Sequence, residues 1–333
     1  PQIGWFRWEA YVVWLSGLAL MALRYFWQAD LYLIDLRKAA LLPWQAVALA
    51  LAGLVVGWLA YDFICKRAWD EPVRRAAIFI LLGALSYVYA DIFSGRGAFI
   101  EIGAITGTIM AANVAHVLVP NQRRMLAAAR AREPQDEARF AASRQRALHN
   151  NYLGIPVVFL MLSTHYPLAF AGRYNWIVIA LSFVVGAAIR HFFIARHRGQ
   201  GALWWTLAVA ILGAALMVWL SFAGAEQTLA RARPTNAIDA IASVMSPDFG
   251  EVEDIVSARC VACHAKRPAW AGLATAPRGM LLDTPALIRA HAQDIARAAI
   301  WTRVMPPPGV DAGMTDDERA TLAAWLKAGA PAR

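Results

Sequence analysis

Between Trp44 and Ile64 the chain reads WQAVALALAGLVVGWLAYDFI, with Asp62 its single charged residue. About 20 such residues, wound into a helix, cross the roughly 30 Å of hydrocarbon in a bilayer. A large soluble core can bury one run of this kind. Working outward, six more appear: Trp8–Gln28, Ala76–Phe93, Phe99–Val119, Tyr152–Phe170, Tyr174–Phe193 and Leu203–Phe222. Seven segments joined by short charged connections predict an all-α fold over residues 1–224, a polytopic transmembrane helix bundle. Composition agrees: 59% of the 333 residues are hydrophobic, 17% are charged, and the mean hydropathy is +0.44. Three cysteines exclude a disulfide scaffold.

The net charge of +9 looks at first like a nucleic-acid signal. Its distribution argues otherwise, because residues 1–224 hold 20 Lys and Arg against 11 Asp and Glu, while residues 225–333 hold 12 of each. The excess flanks the apolar segments and forms no concentrated groove for phosphates, so no nucleic-acid partner is expected. It is also lopsided. The second, fourth and sixth connections (Lys66 to Arg75, Arg123 to Arg146, Arg190 to Arg198) carry 14 basic residues, and the other three carry four, Arg37, Lys38, Arg96 and Arg173. The positive-inside rule then places the first set in the cytoplasm, with Pro1 on that side and everything after Phe222 exported. A start at Pro1, without Met or signal peptide, reads as processing or as missing upstream sequence.

Residues 225–245 break the hydropathy and read as a linker, leaving 246–333 as a small helical domain. Ser246-Pro247 offers an N-cap and an N1 proline, and Thr315-Asp316-Asp317-Glu318 has the spacing of a capping box. Within this domain Cys260-Val261-Ala262-Cys263-His264 is C-x-x-C-H, the c-type haem attachment sequence. Two thiols at this spacing reach the two vinyl groups on one edge of a haem while the adjacent His264 reaches the iron. Half of a zinc site would need a second cysteine pair downstream, and none follows. Met305, in Met305-Pro306-Pro307-Pro308, is the expected sixth ligand; Met280 and Met314 are its competitors. The domain resembles a class I cytochrome c.

A wider resemblance rests on Trp5-Phe6-Arg7-Trp8-Glu9-Ala10-Tyr11, Trp14-Leu15-Ser16-Gly17, Gly107-Thr108-Ile109-Met110-Ala111-Ala112-Asn113 and Pro120-Asn121-Gln122. It continues through His149-Asn150-Asn151-Tyr152-Leu153, His165-Tyr166-Pro167 and Arg190-His191-Phe192-Phe193, then Cys263-His264-Ala265-Lys266 and Leu282-Asp283-Thr284-Pro285. These stretches resemble the bacterial membrane-bound urate hydroxylases, in which a urate oxidase N-terminal membrane domain is fused to a C-terminal cytochrome c. That family carries a further hydrophobic helix upstream of the Trp-Phe-Arg-Trp-Glu segment, which this sequence lacks. The resemblance implies an oxidoreductase of the inner membrane, with its cytochrome domain in the periplasm. It would oxidise urate to 5-hydroxyisourate, passing electrons through its own haem c to a downstream cytochrome c or terminal oxidase.

Ionisable groups at membrane depth are costly and are therefore candidates for function. With the topology above, Arg24, Asp91, Glu101, His165 and Arg173 lie toward the exported side. Glu9, Asp62, Asn113, His116, His149, Asn150, Asn151, Arg190 and His191 lie toward the cytoplasm. Because the haem is exported, the expected substrate site is the outer layer, with Arg24 clamping an oxyanion of urate and Glu101 or His165 as base. The runner-up is the inner set His149, Asn150, Asn151, Arg190 and His191, which would need a second, b-type haem between, for example, His116 and His191. Arg24 can equally snorkel to the interface, and His165 can simply end its helix. Cys65 reads as an inert thiol. The competing function is a membrane-anchored c-type cytochrome that carries electrons without oxidising a substrate; a quinone-reactive oxidoreductase is the third.

Overall fold

The computed structural model describes residues 2–35, 38–39, 41–199, 201, 203–231, 248–307 and 313–330. Seven long helices lie in its first two thirds: α1 Gln2–Met21, α2 Pro43–Lys66, α3 Glu71–Ile92, α4 Gly95–Asn113, α5 Glu137–Ser163, α6 Asn175–His197 and α7 Trp204–Arg231. A wide turn, Val114–Leu118, carries α4 into a further helical stretch, Val119–Ala131. No β-sheet occurs among the described residues, where Ile34 and Phe93 form an isolated bridge.

Five helices are long and apolar enough to cross a membrane: α2, α3, α4 with its extension, α6 and α7 to Ala223. The other two expected segments depart for local reasons. Trp8–Gln28 is divided between α1 and the wide turn Ala22–Phe26. Tyr152–Phe170 is the C-terminal half of α5, whose N-terminal half bears Arg139, Arg144 and Arg146, and the helix stops at Ser163 before the short Pro167–Phe170 turn.

At the centre α4 packs against α1, α2, α3 and α5, while α6 joins α3, α5 and α7. The close approach of α2 to α4 depends on Gly53 and Gly57, one turn apart. A Cβ on Gly57 would stand 2.5 Å from Ile105 Cγ2, and one on Gly53 would collide with the Tyr89 hydroxyl. Small residues bring helices together in this way where lipid offers no hydrophobic drive between them.

Beyond residue 247 the helices α8 Phe249–Arg259, α9 Pro285–Ala290 and α10 Asp316–Lys327 enclose a separate apolar cluster with Val252, Val256, Ile288, Leu322 and Trp325 at its centre. Asp248 caps α8, its carboxylate accepting from the Gly250 amide. The expected cap Ser246-Pro247 lies outside the described residues, as do Pro1, Arg37, Pro308, Arg333 and the 232–245 part of the linker. The start of that linker, by contrast, continues α7 as helix to Arg231. The Thr315–Glu318 capping box forms as spaced. Glu318 also receives two N–H groups of Arg259, at 2.9 and 3.0 Å, which ties α10 to α8. This unit meets the helices below at Trp270, which packs against a cluster of Met21, Tyr25, Leu31 and Tyr32. Gln28 Nε2 adds a 3.3 Å hydrogen bond to the Gly272 carbonyl.

Candidate functional site

A cavity of about 2310 Å³ runs between α1, α4 and α5 and up to the C-terminal unit. At one end it is bordered by Glu9, Asn150 and Asn151, and at the other by Cys260, Cys263, His264, Met280 and Met305. Between these ends lie Arg24, Asp91, Arg96, His165, Arg173 and Arg278. Its middle walls are apolar, with Trp14, Val157 and Met161 among them.

Of the expected outer set, then, Arg24 and His165 share this cavity. Glu101 does not, because its carboxyl turns from α4 toward α2, close to Gly53 and the Tyr89 hydroxyl. It is fully buried, and neither oxygen has a hydrogen-bond partner. Arg24 lies over the Tyr32 ring at 4.3 Å from its centroid, and Arg96 approaches the same ring at 5.6 Å and Phe170 at 5.0 Å. On the sequence Arg96 reads as a cation of the connection before Phe99, whereas it sits in the first turn of α4. Arg278 was not singled out at all, since it lies far along the chain in the C-terminal unit.

The runner-up residues fall into two separate groups. In the first, Asp62 pairs with Arg146 at 2.7 Å and with Lys66 at 2.6 Å. The Tyr61 hydroxyl bonds His149 Nδ1 at 2.8 Å and accepts from Asn113 Nδ2, which also donates to Asn150 Oδ1 at 2.9 Å. In the second, Arg190 donates to Asn151 Oδ1 at 2.5 Å, and Tyr152 bonds His191 Nδ1 at 2.7 Å. His149, Arg190 and His191 do not line the cavity; Asn150 and Asn151 do. His116 lies tilted against Trp58, their ring centroids 5.0 Å apart, while His191 lies beside Tyr152 and Trp205, so the two histidines engage different neighbours. Cys65 is buried beside His149, 3.8 Å from Nδ1.

At the C-terminal end, α8 stops at Arg259 and the chain folds back on itself. Cys263 and His264 donate their amides to the Cys260 carbonyl at 3.1 and 2.9 Å, which sets the three side chains on one tight turn. Both thiols are free. His264 Nδ1 bonds the Met280 carbonyl at 3.1 Å, which assigns the proton to Nδ1 and leaves the lone pair on Nε2. Burial holds His264 below the ordinary imidazole range, against the pull of that hydrogen bond, so the ring is neutral. Burial also raises both thiols, Cys260 to about 12. The Met305 loop is anchored at both ends of the residue, its amide donating to Ala298 and its carbonyl accepting from Arg319 Nη1 at 3.1 Å. No group of three or more His, Cys, Asp or Glu suited to a metal ion occurs among the described residues.

Neither a curated protein nor a solved structure matches this chain. A family profile does: the urate oxidase N-terminal domain matches residues 1–221, spanning all seven long helices up to the last turns of α7. With two thirds of its length so matched and a helical membrane architecture beneath it, the chain belongs to the urate oxidase N-terminal family.

Proposed function

We propose that this protein is a membrane-bound urate hydroxylase that oxidises urate to 5-hydroxyisourate and hands the electrons to a c-type haem on its own C-terminal unit. The observation that carries the proposal is the continuity of the cavity from Arg24 and His165 to Cys263, His264 and Met305. An apolar chamber with a few convergent polar groups is the common form of a small-molecule site.

The residues at the C-terminal end suit the haem. Cys260 and Cys263 would carry the thioethers, and His264 and Met305 would ligate the iron. The Met280 carbonyl is the kind of partner that orients a ligating histidine and fixes its tautomer. When attached, a haem with this ligation supplies a one-electron acceptor of raised potential.

Urate and one water give 5-hydroxyisourate, two protons and two electrons. The water oxygen becomes bonded to the purine, and the electrons leave one at a time for a downstream cytochrome c or terminal oxidase. Arg24 would hold an oxyanion of urate by paired N–H donors. His165, which borders the same chamber, would accept a proton from urate N–H or from the attacking water. Trp14, Val157 and Met161 keep bulk water from the reacting purine. Glu101 has no part in these steps, since it faces α2.

The proposal extends to topology. All seven long helices would cross the inner membrane, with the Arg123–Arg146 stretch cytoplasmic and the C-terminal unit periplasmic, an orientation that the 14 to four distribution of basic residues supports. The test is anaerobic addition of urate to the purified protein, with quinol as control. Reduction of the haem by urate is the expected result. Reduction by quinol alone would replace the proposal with an electron carrier or a quinone-reactive oxidoreductase.

A further inference from the structure

Three arginines converge where the C-terminal unit meets the helices below it. Arg24 follows the last turn of α1 and Arg96 opens α4, and both guanidinium groups lie near Tyr32. Arg278 descends from the opposite side, and all three border the cavity. Arg96 feels the like charges of both Arg24 and Arg278. Arg96 is partly buried, while Arg24 and Arg278 are exposed to the cavity; like charges gathered there repel, and carboxylates ordinarily relieve such repulsion. None relieves it here: none of the three has a carboxylate within 4.0 Å among the described residues, although Asp91 borders the same cavity. Among the described residues none of the three donates a hydrogen bond either, and Arg96 Nε is buried with no partner there.

Arg278 carries a second mark. Its backbone is left-handed at φ +57°, followed by Gly279 at φ +66°. A non-glycine residue held there is strained, and such strain clusters at ligand clamps.

We infer that the cavity binds its substrate as a planar organic anion across the seam, with Arg24 and Arg96 below it and Arg278 of the C-terminal unit above. This rests on the proposed urate oxidation and adds to it. The C-terminal unit would then be a wall of the substrate pocket as well as the electron acceptor, and uncharged purines would be rejected for want of a charge to balance the arginines.

Equilibrium titration of the full-length holoprotein in lipid nanodiscs tests this. The haem is first reduced with dithionite, so that binding proceeds without turnover. Urate is titrated against hypoxanthine, an uncharged purine, into wild type, Arg278→Gln, Arg278→Gly and Arg278→Lys. The Gly variant removes the charge while relieving the left-handed backbone, so a folding defect cannot explain its effect.

Loss of one charge-assisted contact should weaken urate about tenfold to hundredfold in both the Gln and the Gly variants. Lys should restore much of it, and hypoxanthine should bind all four proteins alike. Urate binding that is unchanged in Arg278→Gln and Arg278→Gly, or hypoxanthine binding as well as urate, would overturn the inference. No urate binding to wild type would overturn it together with the proposed function. If urate binds through Arg278 yet fails to reduce the oxidised haem, the proposed reaction falls and the anion site stands.

Discussion

His264 and Met305 carry the redox proposal at the scale of single residues, and their surroundings differ in a testable way. His264 is oriented by a backbone carbonyl, which no side-chain substitution at Met280 removes. Met305 depends on its own thioether. Met305→Ala should therefore leave the haem covalently attached while abolishing the low-spin Met/His spectrum, and an unchanged spectrum would show that another group is the sixth ligand. Glu318 makes a separate prediction, about stability. Burial opposes its ionisation, but the hydrogen bonds from Arg259 and Thr315 and the Arg259 charge together hold it below the usual carboxylate range. A group depressed in the folded state stabilises above its unfolded pKa, near 4.3, and that contribution is lost as pH falls through the folded value. Glu318→Gln should lower stability by about 1 kcal/mol at pH 7, after allowing for the solvent around a partly exposed pair. The difference between variant and wild type, read from thermal midpoints, should shrink toward pH 3. Proximity of residues was readable from the sequence wherever spacing along the chain defines it, as in the tight turn that gathers Cys260, Cys263 and His264. It was not readable for Arg278, which earns its place only by lying opposite Arg24 and Arg96 once the chain has folded.

Helices explain what hydropathy could and could not disclose. The apolar segments were visible because a bilayer imposes length and composition on whatever crosses it. Rotation of each helix about its axis was not, because a helix that is apolar nearly all round has no pattern to mark its inward face. Glu101 and Arg24 thus fell into one depth layer on the sequence, yet Glu101 turns toward Gly53 on α2 while Arg24 enters the cavity. His149 and Asn150 are neighbours on α5 and also part company, His149 to Tyr61 and Asn150 to the cavity wall. The α2–α4 contact gives this scale its own test. Gly57→Val would drive two methyl groups into Ile105, and overpacking of that kind costs about 1–3 kcal/mol. The thermal midpoint of the detergent-solubilised protein should fall, whereas the same change at Gly83, which has open space around it, should leave it near wild type.

The whole molecule joins a helical membrane unit to a C-terminal unit with its own apolar cluster, and their relation to the bilayer is open to direct measurement. Reporter fusions after Arg132 and after Arg333 should report opposite sides of the membrane, and the same side for both would remove at least one crossing. The proposed site at Arg24 has one rival, the His149 network beside the inner end of the cavity, and substitution separates them. Arg24→Leu should abolish urate-driven haem reduction while His149→Ala spares it, and a pyridine haemochrome assay should find c-type haem alone. Loss of turnover only in the His149 variant, or the appearance of b-type haem, would move the chemistry to the inner end. The unbalanced arginines at the seam have a kinetic consequence as well. Cations outnumber the carboxylates Glu9, Asp35, Asp91 and Asp294 among the residues lining the cavity, and a cleft with such an excess within low-dielectric walls focuses its field outward and draws anions toward its mouth. Raising salt from about 0.01 M to about 0.15 M shortens the reach of that field from about 30 Å to about 8 Å. Under the proposed function urate capture should therefore slow, with kcat/KM falling across this range while kcat holds steady, so that low ionic strength favours uptake.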